Sequence, residues 1–489
     1  MTEMRRLLGA VCALTVAAGG SLLADNWPHW RGPSHNGVSS ETSLPVSWSA
    51  RCLDAPEPQA TAAPAGPRIV RASLTVSRDQ RQRRRGGRRR GGGSVAVPTH
   101  PPNCDEFATE NIAWRLPLPA YSGSTPIIWG DLVFLNVATE TASGSLELWA
   151  VDRRTQAVAW KALIADGNNM QRKQNMSSPS PVTDGEHVWV MTGVGALKAF
   201  DFDGNEIWSR NISDDYYPFG LNWGYASSPL LQGDALYVQV LHGMRTDDPS
   251  YLVKVDKMTG ETLWYIERPT TARRESPDSY TTPVWLEYGG KTELVITGGD
   301  AVTGHDPDTG EELWRANVLN PENNGAYRIV ASATIMGDLI VAPSRVRPMV
   351  AIRPGGSGDI GDSHIAWEFD RGPDVPTPVS DGEYVYVVTD RGVVYCLRLE
   401  TGEIVYGPER LPSGTYSSSP ILADGKIYVS TEEEGLWTVY RSGPDFEILS
   451  SNSFDDGCTP YCLSTVAVSQ GQLFIRSSAN LWVIGERTG

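Results

Sequence analysis

The feature of this sequence that most constrains its fold is a five-residue, mostly apolar pattern that recurs every 42–55 residues. Its eight copies are 148–152 (LWAVD), 197–201 (LKAFD), 252–256 (LVKVD), 302–306 (VTGHD), 349–353 (MVAIR), 394–398 (VYCLR), 436–440 (LWTVY) and 481–485 (LWVIG). A repeat of this length is the size of one four-stranded propeller blade. Because stacked repeats share a core, the 489 residues need not be divided among several domains.

Each copy lies inside a longer unit with the same order of turns. A Ser- or Thr-rich segment comes first, followed by a short apolar run, an Asx-Gly turn such as Asp184-Gly185, and later a turn such as TGE at 259–261. The closing run of most units ends in Trp or Tyr, which favours aromatic packing between blades. The opening segments usually end in proline, at Pro126, Pro181, Pro229, Pro283, Pro378 and Pro420, with Thr334 and Val466 predicted in the same place in the other two units.

The last unit ends without its closing strand. Residues 111–117 (NIAWRLP) resemble the closing strands of the other units, with Trp114 in the aromatic position. We therefore predict an all-β, eight-bladed β-propeller of four-stranded antiparallel blades over residues 111–487. We expect the N-terminal strand to close the ring, since closure leaves only short, protected strand edges.

The N-terminus has the features of a secretory signal. Arg5 and Arg6 precede an uncharged, mostly apolar run at 7–23, and Ala24 is a suitable cleavage residue. We predict a signal peptide at 1–24, a periplasmic or secreted protein, and an extension at 25–50 that packs on the propeller. The alternative for 1–24 is an uncleaved membrane anchor, although the apolar run is short for a span. No transmembrane segment is expected after cleavage, and a monomer is expected.

The formal net charge of −16 argues against nucleic-acid binding by the folded domain.

Residues 51–110 differ in composition from the rest of the chain. They are rich in Pro, Ala, Gly and Arg, and 81–90 (RQRRRGGRRR) holds seven arginines. Such a segment cannot bury a core, so we predict a disordered insert. Three roles stay open for it: binding an anionic polymer, docking on the acidic surface of the protein itself, or a tolerated loop without a partner.

Five cysteines remain once the signal is removed, and export permits disulfides. Cys52 and Cys104 flank the insert, and we predict a disulfide between them at its base. We predict a second, small loop disulfide between Cys458 and Cys462. Cys396 takes the place of an alanine in other units and is interpreted as a buried thiol.

The unit as a whole resembles the pyrroloquinoline-quinone (PQQ)-type propeller repeat, over about residues 111–487. Two groups carry this repeat: quinoprotein dehydrogenases and the non-enzymatic BamB-like proteins of outer-membrane assembly. The opening at 26–39 (NWPHWRGPSHNGVS) also resembles the start of secreted PQQ-like repeat proteins. The resemblance to the dehydrogenases implies PQQ with calcium, a disulfide between adjacent cysteines, a stacking Trp, Glu/Asn/Asp metal ligands and an Asp base. This sequence has neither adjacent cysteines nor CxxCH, so no cofactor residue carries over by motif.

Function is expected on the face that carries the long connections between blades, since binding residues concentrate on such loops. Tyrosines precede the proline position in several connections, with Asn, Arg and Asp beside them. Such a rim suits a sugar, a quinone-like ring or an anionic peptide, whereas the alternative is that the tyrosines cap the channel and bond to neighbouring loops. Asp247-Asp248 and residues 432–434 could bind a hard cation through their oxygens, but neither has the spacing of a calcium loop, and both are interpreted as solvated acidic loops. The candidate ligand-binding residues are Asn175, Asn222, Trp223, Tyr225, His242, Tyr280, Arg328, Arg345, Arg347, Asp374 and Tyr416.

The sequence thus favours an exported, non-catalytic binding or scaffold propeller that holds a small ligand, a glycan or an envelope protein. The alternative is a PQQ- and calcium-dependent dehydrogenase with a divergent site. A hydrolase or lyase acting on polysaccharide from the same rim also stays open, although no carboxylate pair is placed by sequence.

Overall fold

The structure is a computed structural model that describes residues 26–53, 106–345, 347–432, 435–455 and 462–486. In these ranges the chain is almost entirely β-structure, with one helical turn, α1 (Ile212–Asp215), capped by the side chain of Asn211. No helix in the described part is long and apolar enough to cross a membrane. The strands are β1 (Val38–Ser39), β2 (Ser49–Cys52), β3 (Phe107–Glu110), β4 (Ile112–Pro117), β5 (Ile127–Trp129), β6 (Leu132–Ala138), β7 (Ser145–Asp152), β8 (Ala157–Asp166), β9 (Met170–Gln171), β10 (Gln174–Asn175), β11 (Val182–Thr183), β12 (His187–Met191), β13 (Ala196–Asp201), β14 (Glu206–Asn211), β15 (Leu230–Gln232), β16 (Ala235–Val240), β17 (Tyr251–Asp256), β18 (Thr262–Glu267), β19 (Val284–Tyr288), β20 (Lys291–Gly298), β21 (Ala301–His305), β22 (Glu312–Ala316), β23 (Thr334–Met336), β24 (Leu339–Ala342), β25 (Met349–Ile352), β26 (Gly358–Asp359), β27 (Ile365–Phe369), β28 (Val379–Ser380), β29 (Tyr384–Val388), β30 (Val393–Arg398), β31 (Ile404–Arg410), β32 (Ile421–Ala423), β33 (Lys426–Ser430), β34 (Trp437–Arg441), β35 (Ile448–Asp455), β36 (Ala467–Ser469), β37 (Gln472–Arg476) and β38 (Asn480–Ile484).

The predicted four-stranded antiparallel units are confirmed. Successive strands pair in order as β5 to β8, β11 to β14, β15 to β18, β19 to β22, β23-β24-β25-β27, β28 to β31 and β32 to β35. The strands β36, β37 and β38 are completed by β4 from the N-terminal side, with Asn480 opposite Pro117 and Val483 opposite Trp114. The recurrent sequence pattern supplies the third strand of each unit, whose side chains are mostly buried.

A β-bulge recurs at the same place in every unit and sets the register of the repeat. The register shifts lie between Ala150 and Val151, and equivalently at 199/200, 254/255, 304/305, 351/352, 396/397, 439/440 and 483/484. In seven units the bulge falls between the third and fourth residues of the predicted pattern. In the seventh it falls one residue later, so the predicted segment 436–440 was out of register and the structural repeat is 437–441. The prediction was displaced because the apolar Leu436, which lies just before β34, resembles the first residue of the pattern.

The aromatic residues of the closing strands pack between neighbouring units. Trp208 donates from Nε1 to the carbonyl oxygen of Lys257 at 2.8 Å and lies against Gly260, where a Cβ atom would come within 2.7 Å of the indole. Gly260 has φ +74°, so the TGE turn combines a positive φ with room for the neighbouring ring. The same contact joins Trp160 to Phe202 and Gly204, Trp264 to Pro307 and Gly310, and Trp367 to Leu399 and Gly402.

The segment 26–39, called the strap here, runs from the first unit to the seventh. Trp27 is fully buried and bridges Ile128 in β5, while β1 at the other end pairs in parallel with β32. Between them, Arg31 is 1% exposed and bonds to backbone carbonyls of two further segments. The strap thereby connects units that are far apart in sequence.

The ends of the predicted insert are ordered, which corrects the boundaries 51–110. Strand β3 pairs with β2, and β2 pairs in parallel with β35. Phe107 packs edge-on against Trp482 at 5.4 Å between ring centroids, so an apolar contact extends the structure beyond the composition boundary. Cys52 is disulfide-bonded, but its predicted partner Cys104 lies outside the described residues, as do residues 54–105, and the pairing stays a prediction. Cys462 is buried and Cys458 also lies outside the described residues.

Candidate functional site

Eight hydroxyl side chains, one from each unit, follow one another at the start of the first strands. This set, called the hydroxyl octet here, consists of Thr125, Ser180, Ser228, Thr282, Ser332, Thr377, Ser419 and Thr465. The backbone N–H of one member donates to the hydroxyl oxygen of the next, as from Thr125 to Ser180 at 2.9 Å and from Thr282 to Ser332 at 3.0 Å. Thr465 in turn donates to Thr125 Oγ1 at 3.2 Å, which joins the last unit to the first.

The octet also corrects the predicted place of Thr334. Ser332 is the hydroxyl of its unit, so Ala333, not Thr334, takes the position that proline has elsewhere. Thr334 is the first residue of β23. Without a proline to mark the position, the sequence did not determine the alignment within this unit.

Residues two positions before the octet form a second layer, because alternate residues of extended chain face the same side. The second layer consists of Gly123, Ser178, Ala226, Tyr280, Val330, Val375, Ser417 and Leu463. Both layers line a central cavity of about 210 Å³. Trp30 of the strap contributes beside the octet, and Lys173, Gln174, Trp223 and Arg328 complete the lining.

Trp223 lies at the end of the cavity that the second layer lines, and its neighbours hold it in place. Its backbone N–H donates to Tyr280 Oη at 3.0 Å, and its Nε1 donates to Glu275 Oε1 at 2.8 Å. The guanidinium of Arg172 lies over the indole, 4.3 Å from the ring centroid, and that of Arg328 lies at 5.5 Å. The indole is therefore held from its edge and flanked by two cations.

A chain of ion pairs extends from this tryptophan. Arg328 Nε lies 3.7 Å from Glu275 Oε1, and Arg328 Nη2 lies 3.4 Å from Asp374 Oδ2. Arg345 Nε approaches the same Asp374 oxygen at 3.7 Å. Burial raises the pKa of Asp374, while Arg328 and Arg345 oppose that rise. The site thus fixes two carboxylates and two guanidinium groups in one network.

A second ion pair lies at another point of the cavity wall. Lys173 Nζ is 2.6 Å from Glu432 Oε1, and Ser417 Oγ donates to Glu432 Oε2 at 3.0 Å. The Glu432 side chain is fully buried. The interpretation of 432–434 as a solvated acidic loop was therefore wrong for Glu432, because a lysine from a distant connection neutralises it; residues 433–434 lie outside the described part of the chain.

The structure brings Trp223, Tyr280, Arg328, Arg345 and Asp374 together. Asn222 lies beside them, and its backbone N–H donates to Asp278 Oδ2 at 2.7 Å. Burial raises the pKa of Asp278 to about 6. These residues come from four connections between units and, for Arg345, from the loop between β24 and β25. The connections meet because the first strands of successive units are adjacent.

Of the candidate residues, Trp223, Tyr280 and Arg328 line the cavity and the others do not. Asn175 donates to the carbonyl oxygen of Tyr121 at 2.7 Å, and Tyr225 Oη donates to that of Gln239 at 3.0 Å. These contacts match the alternative in which such side chains bond to neighbouring loops. His242 accepts the N–H of Gly220, Tyr416 donates to the carbonyl oxygen of Pro412, and Arg347 pairs with Glu322 on the surface. Burial lowers the pKa of His242 and raises that of Tyr416 to about 12.

Sequence reasoning missed Arg172, Lys173, Glu275 and the role of the octet. The octet had a signal, since Ser or Thr recurs immediately before the proline of most units. Lys173 and Glu432 are 259 residues apart, and no local pattern relates them. Nothing in the sequence distinguishes Glu275, since a single acidic residue in a long connection is common.

The side chains around the cavity do not fit PQQ with calcium. Calcium in proteins takes six to eight oxygen ligands. Among the described residues no group of three or more His, Cys, Asp or Glu could hold a metal ion. The carboxylates nearest the cavity, Glu275, Asp374 and Glu432, are each committed to an arginine or a lysine.

Comparisons with known proteins agree on the type of repeat. A family model described as outer membrane protein assembly factor BamB matches residues 60–220, 150–406 and 359–443. The outer membrane protein assembly factor BamB of Burkholderia pseudomallei (strain K96243) is 22% identical over 357 residues, which cover 64% of this chain and 83% of that protein. BamB from Moraxella catarrhalis matches in structure with a TM-score of 0.54 at 15% identity, over 77% of this chain and 98% of that one. A europium-containing methanol dehydrogenase matches with a TM-score of 0.56 at 13% identity, over 76% and 85%.

Proposed function

Because the chain belongs to the family of the outer membrane protein assembly factor BamB, we propose that it is an exported, non-catalytic binding propeller that holds a protein of the cell envelope. The binding surface is the connection face, meaning the loops that join successive units and carry Arg172, Trp223, Glu275, Arg328 and Asp374. The predicted signal at 1–24 supports export, although it lies outside the described residues. We propose that the protein acts as a monomer.

We propose further that the eight four-stranded units are the blades of one ring. The pairing of β4 with β38 supports closure by the N-terminal strand. The hydrogen bond from Thr465 to Thr125 supports it independently, because it connects the last unit to the first on the inner side. A ring explains how connections so distant in sequence reach one central cavity.

The proposal rests on the exposure of Trp223 and on the contacts that hold it. The indole is partly exposed, yet its backbone and ring nitrogens are both bonded and arginines lie against it. Tryptophan and arginine are the residues most enriched at the energetic centres of protein interfaces, where a rigid aromatic side chain loses little entropy on binding. A protein partner therefore suits this surface better than a glycan.

The dehydrogenase alternative rests on the likeness in fold to a methanol dehydrogenase, which concerns the fold alone. It is tested by thermal unfolding of the mature protein with excess PQQ and Ca²⁺, followed by a dye-linked alcohol and sugar oxidation assay. We expect no shift and no turnover. A ligand at about 100 times its dissociation constant stabilises a protein by about 2.7 kcal/mol, so a shift that needs both components would overturn the non-catalytic assignment.

A further inference from the structure

The central cavity changes in polarity along its length. Seven of the octet hydroxyls accept a backbone N–H, as Ser180 does from Thr125, and Thr465 is the exception among the described residues. None of the eight hydroxyls donates to an acceptor among the described residues. The second layer is mostly apolar on one side, through Ala226, Val330 and Val375, and Leu463 adds an apolar side chain elsewhere in the layer. A ligand with an apolar body would therefore find matching surface in the second layer.

The charged side chains around the second-layer end of the cavity, called the mouth here, differ in whether they have a counterion. Lys173 is neutralised by Glu432, and Arg328 with Arg345 is neutralised by Glu275 and Asp374. Arg172 and Arg245 have no carboxylate within 4.0 Å among the described residues; Arg245 instead donates to the carbonyl oxygen of Asn222 at 2.8 Å. Arg172 and Arg245 thus present guanidinium groups without a carboxylate partner in the described structure, although Asp278 and Asp390 lie in neighbouring loops.

Arg328 provides a specific donor there. Its side chain is 11% exposed, its Nε lies near Glu275 and its Nη2 near Asp374. Its Nη1 is buried and has no hydrogen-bond partner in the described structure. A buried guanidinium N–H without an acceptor is costly, and a carboxylate is the acceptor that matches it best.

We infer that the central cavity binds a small carboxylate with an apolar body. The body lies against the second layer, and the carboxylate accepts hydrogen bonds from Arg328 Nη1 and lies close to Arg172 beside Trp223. The shared chemistry has two sources, a free carboxylic acid or the C-terminal residue of a peptide. This inference does not depend on the protein partner proposed above.

The test uses 3-phenylpropionate and its neutral amide as probes on the mature full-length protein, by isothermal titration and thermal unfolding at low ionic strength. We expect saturable binding of the acid and at least about tenfold weaker binding of the amide, since a charge-assisted contact is lost. Equal binding of acid and amide overturns the inference, as does the absence of heat and shift at about 10 mM for both the acid and the free peptide described below.

Variants locate the site. Arg172→Gln is expected to weaken binding of the acid about tenfold, whereas the matched Arg391→Gln, an exposed arginine that does not line the cavity, leaves it unchanged. Val375→Phe fills the second layer and is expected to abolish binding, while Leu163→Phe on the exposed side of β8 has no effect. Unfolding temperatures confirm that each variant folds, and equal loss in the paired variants contradicts the assigned site.

A second arm distinguishes the two sources. The peptide Ala-Ala-Phe and its C-terminal amide are titrated under the same conditions. Binding of the free peptide that is lost on amidation assigns the site to a chain terminus, and binding of 3-phenylpropionate without binding of the peptide assigns it to a free acid. Either result supports the carboxylate site, and the absence of both overturns it.

Discussion

Arg31 donates from Nη1 to the carbonyl oxygen of Pro420 at 2.7 Å. Its Nη2 donates to the carbonyl oxygens of Pro378 and Asn36 at 2.8 and 2.9 Å. One guanidinium group of the strap thus bonds to segments that directly follow two octet residues, Thr377 and Ser419. The strap is therefore part of the propeller core and not an appendage.

The first prediction concerns this arginine. Arg31→Met should lower the free energy of unfolding by about 3 kcal/mol, because buried carbonyl groups lose a charged donor. Urea unfolding followed by tryptophan fluorescence measures the change. Arg154→Met, at a side chain that is 65% exposed, is the control and should change stability little. Similar effects of the two substitutions would show that the strap does not stabilise the fold.

The second prediction is a pH dependence that originates in the strap. His29 and His35 are in ring contact at 3.9 Å between centroids, and burial lowers both pKa values, that of His35 to about 4. The unfolded chain binds protons on these imidazoles near pH 6.5, whereas the folded protein does not, so stability is greatest above pH 6.5 and falls as the pH decreases towards about 4.

The variant His35→Gln should flatten part of that decline in urea unfolding measured across the same pH range. His364→Gln serves as the control, since His364 lies outside the strap. A wild-type decline that survives unchanged in His35→Gln would assign the acid sensitivity to other groups.

The third prediction concerns the hydroxyl octet. Ser332→Ala removes the acceptor of the Thr282 N–H and should cost about 1–3 kcal/mol, because a buried donor is left without a partner. Ser332→Thr keeps the acceptor and should be milder. Ser344 is also buried, but its Oγ has no partner among the described residues, so Ser344→Ala should be close to neutral. Equal losses in the free energy of unfolding for the two alanine variants would show that the octet hydrogen bonds do not stabilise the fold.

The fourth prediction separates two effects at the turns. Gly260→Ala meets both a positive φ of +74° and the Trp208 indole, whereas Gly382→Ala meets a positive φ of +94° with nothing within 4 Å. We expect a loss of about 1 kcal/mol for Gly382→Ala and about 3 kcal/mol for Gly260→Ala, since only the latter displaces a ring. Thermal unfolding measures both, and equal losses would leave the Trp–Gly contact without energetic importance.

Much of the fold followed from the sequence because a repeated unit shows its strands and turns eight times. The recurrent apolar segment was the third strand of every unit, with an error of one residue at 436–440, where Leu436 imitated the pattern. The aromatic position was also predictable, since Trp160, Trp208, Trp264 and Trp367 recur at one place. Features that occur once, such as β3 next to the insert, could not be recognised by comparing repeats.

The site was predicted less well, for a physical reason. Whether a polar side chain faces the cavity or bonds within its own loop depends on loop geometry, which local sequence does not encode. Tyr225 and Tyr280 precede proline at similar distances, yet Tyr225 is buried against Phe219 and Tyr280 lines the cavity. Pairs such as Lys173 and Glu432 form only once the units are assembled.

The most direct test of the central claim is site-specific photocross-linking in intact cells. The photoreactive amino acid p-benzoylphenylalanine replaces Arg172 on the connection face or Arg245 in the adjacent loop between β16 and β17, and Glu261 or Glu403 in turns at the opposite ends of the strands. The account predicts one recurrent envelope-protein adduct from Arg172 and Arg245 and none from Glu261 or Glu403. Adducts that form equally from both faces, or none from the connection face, would contradict it.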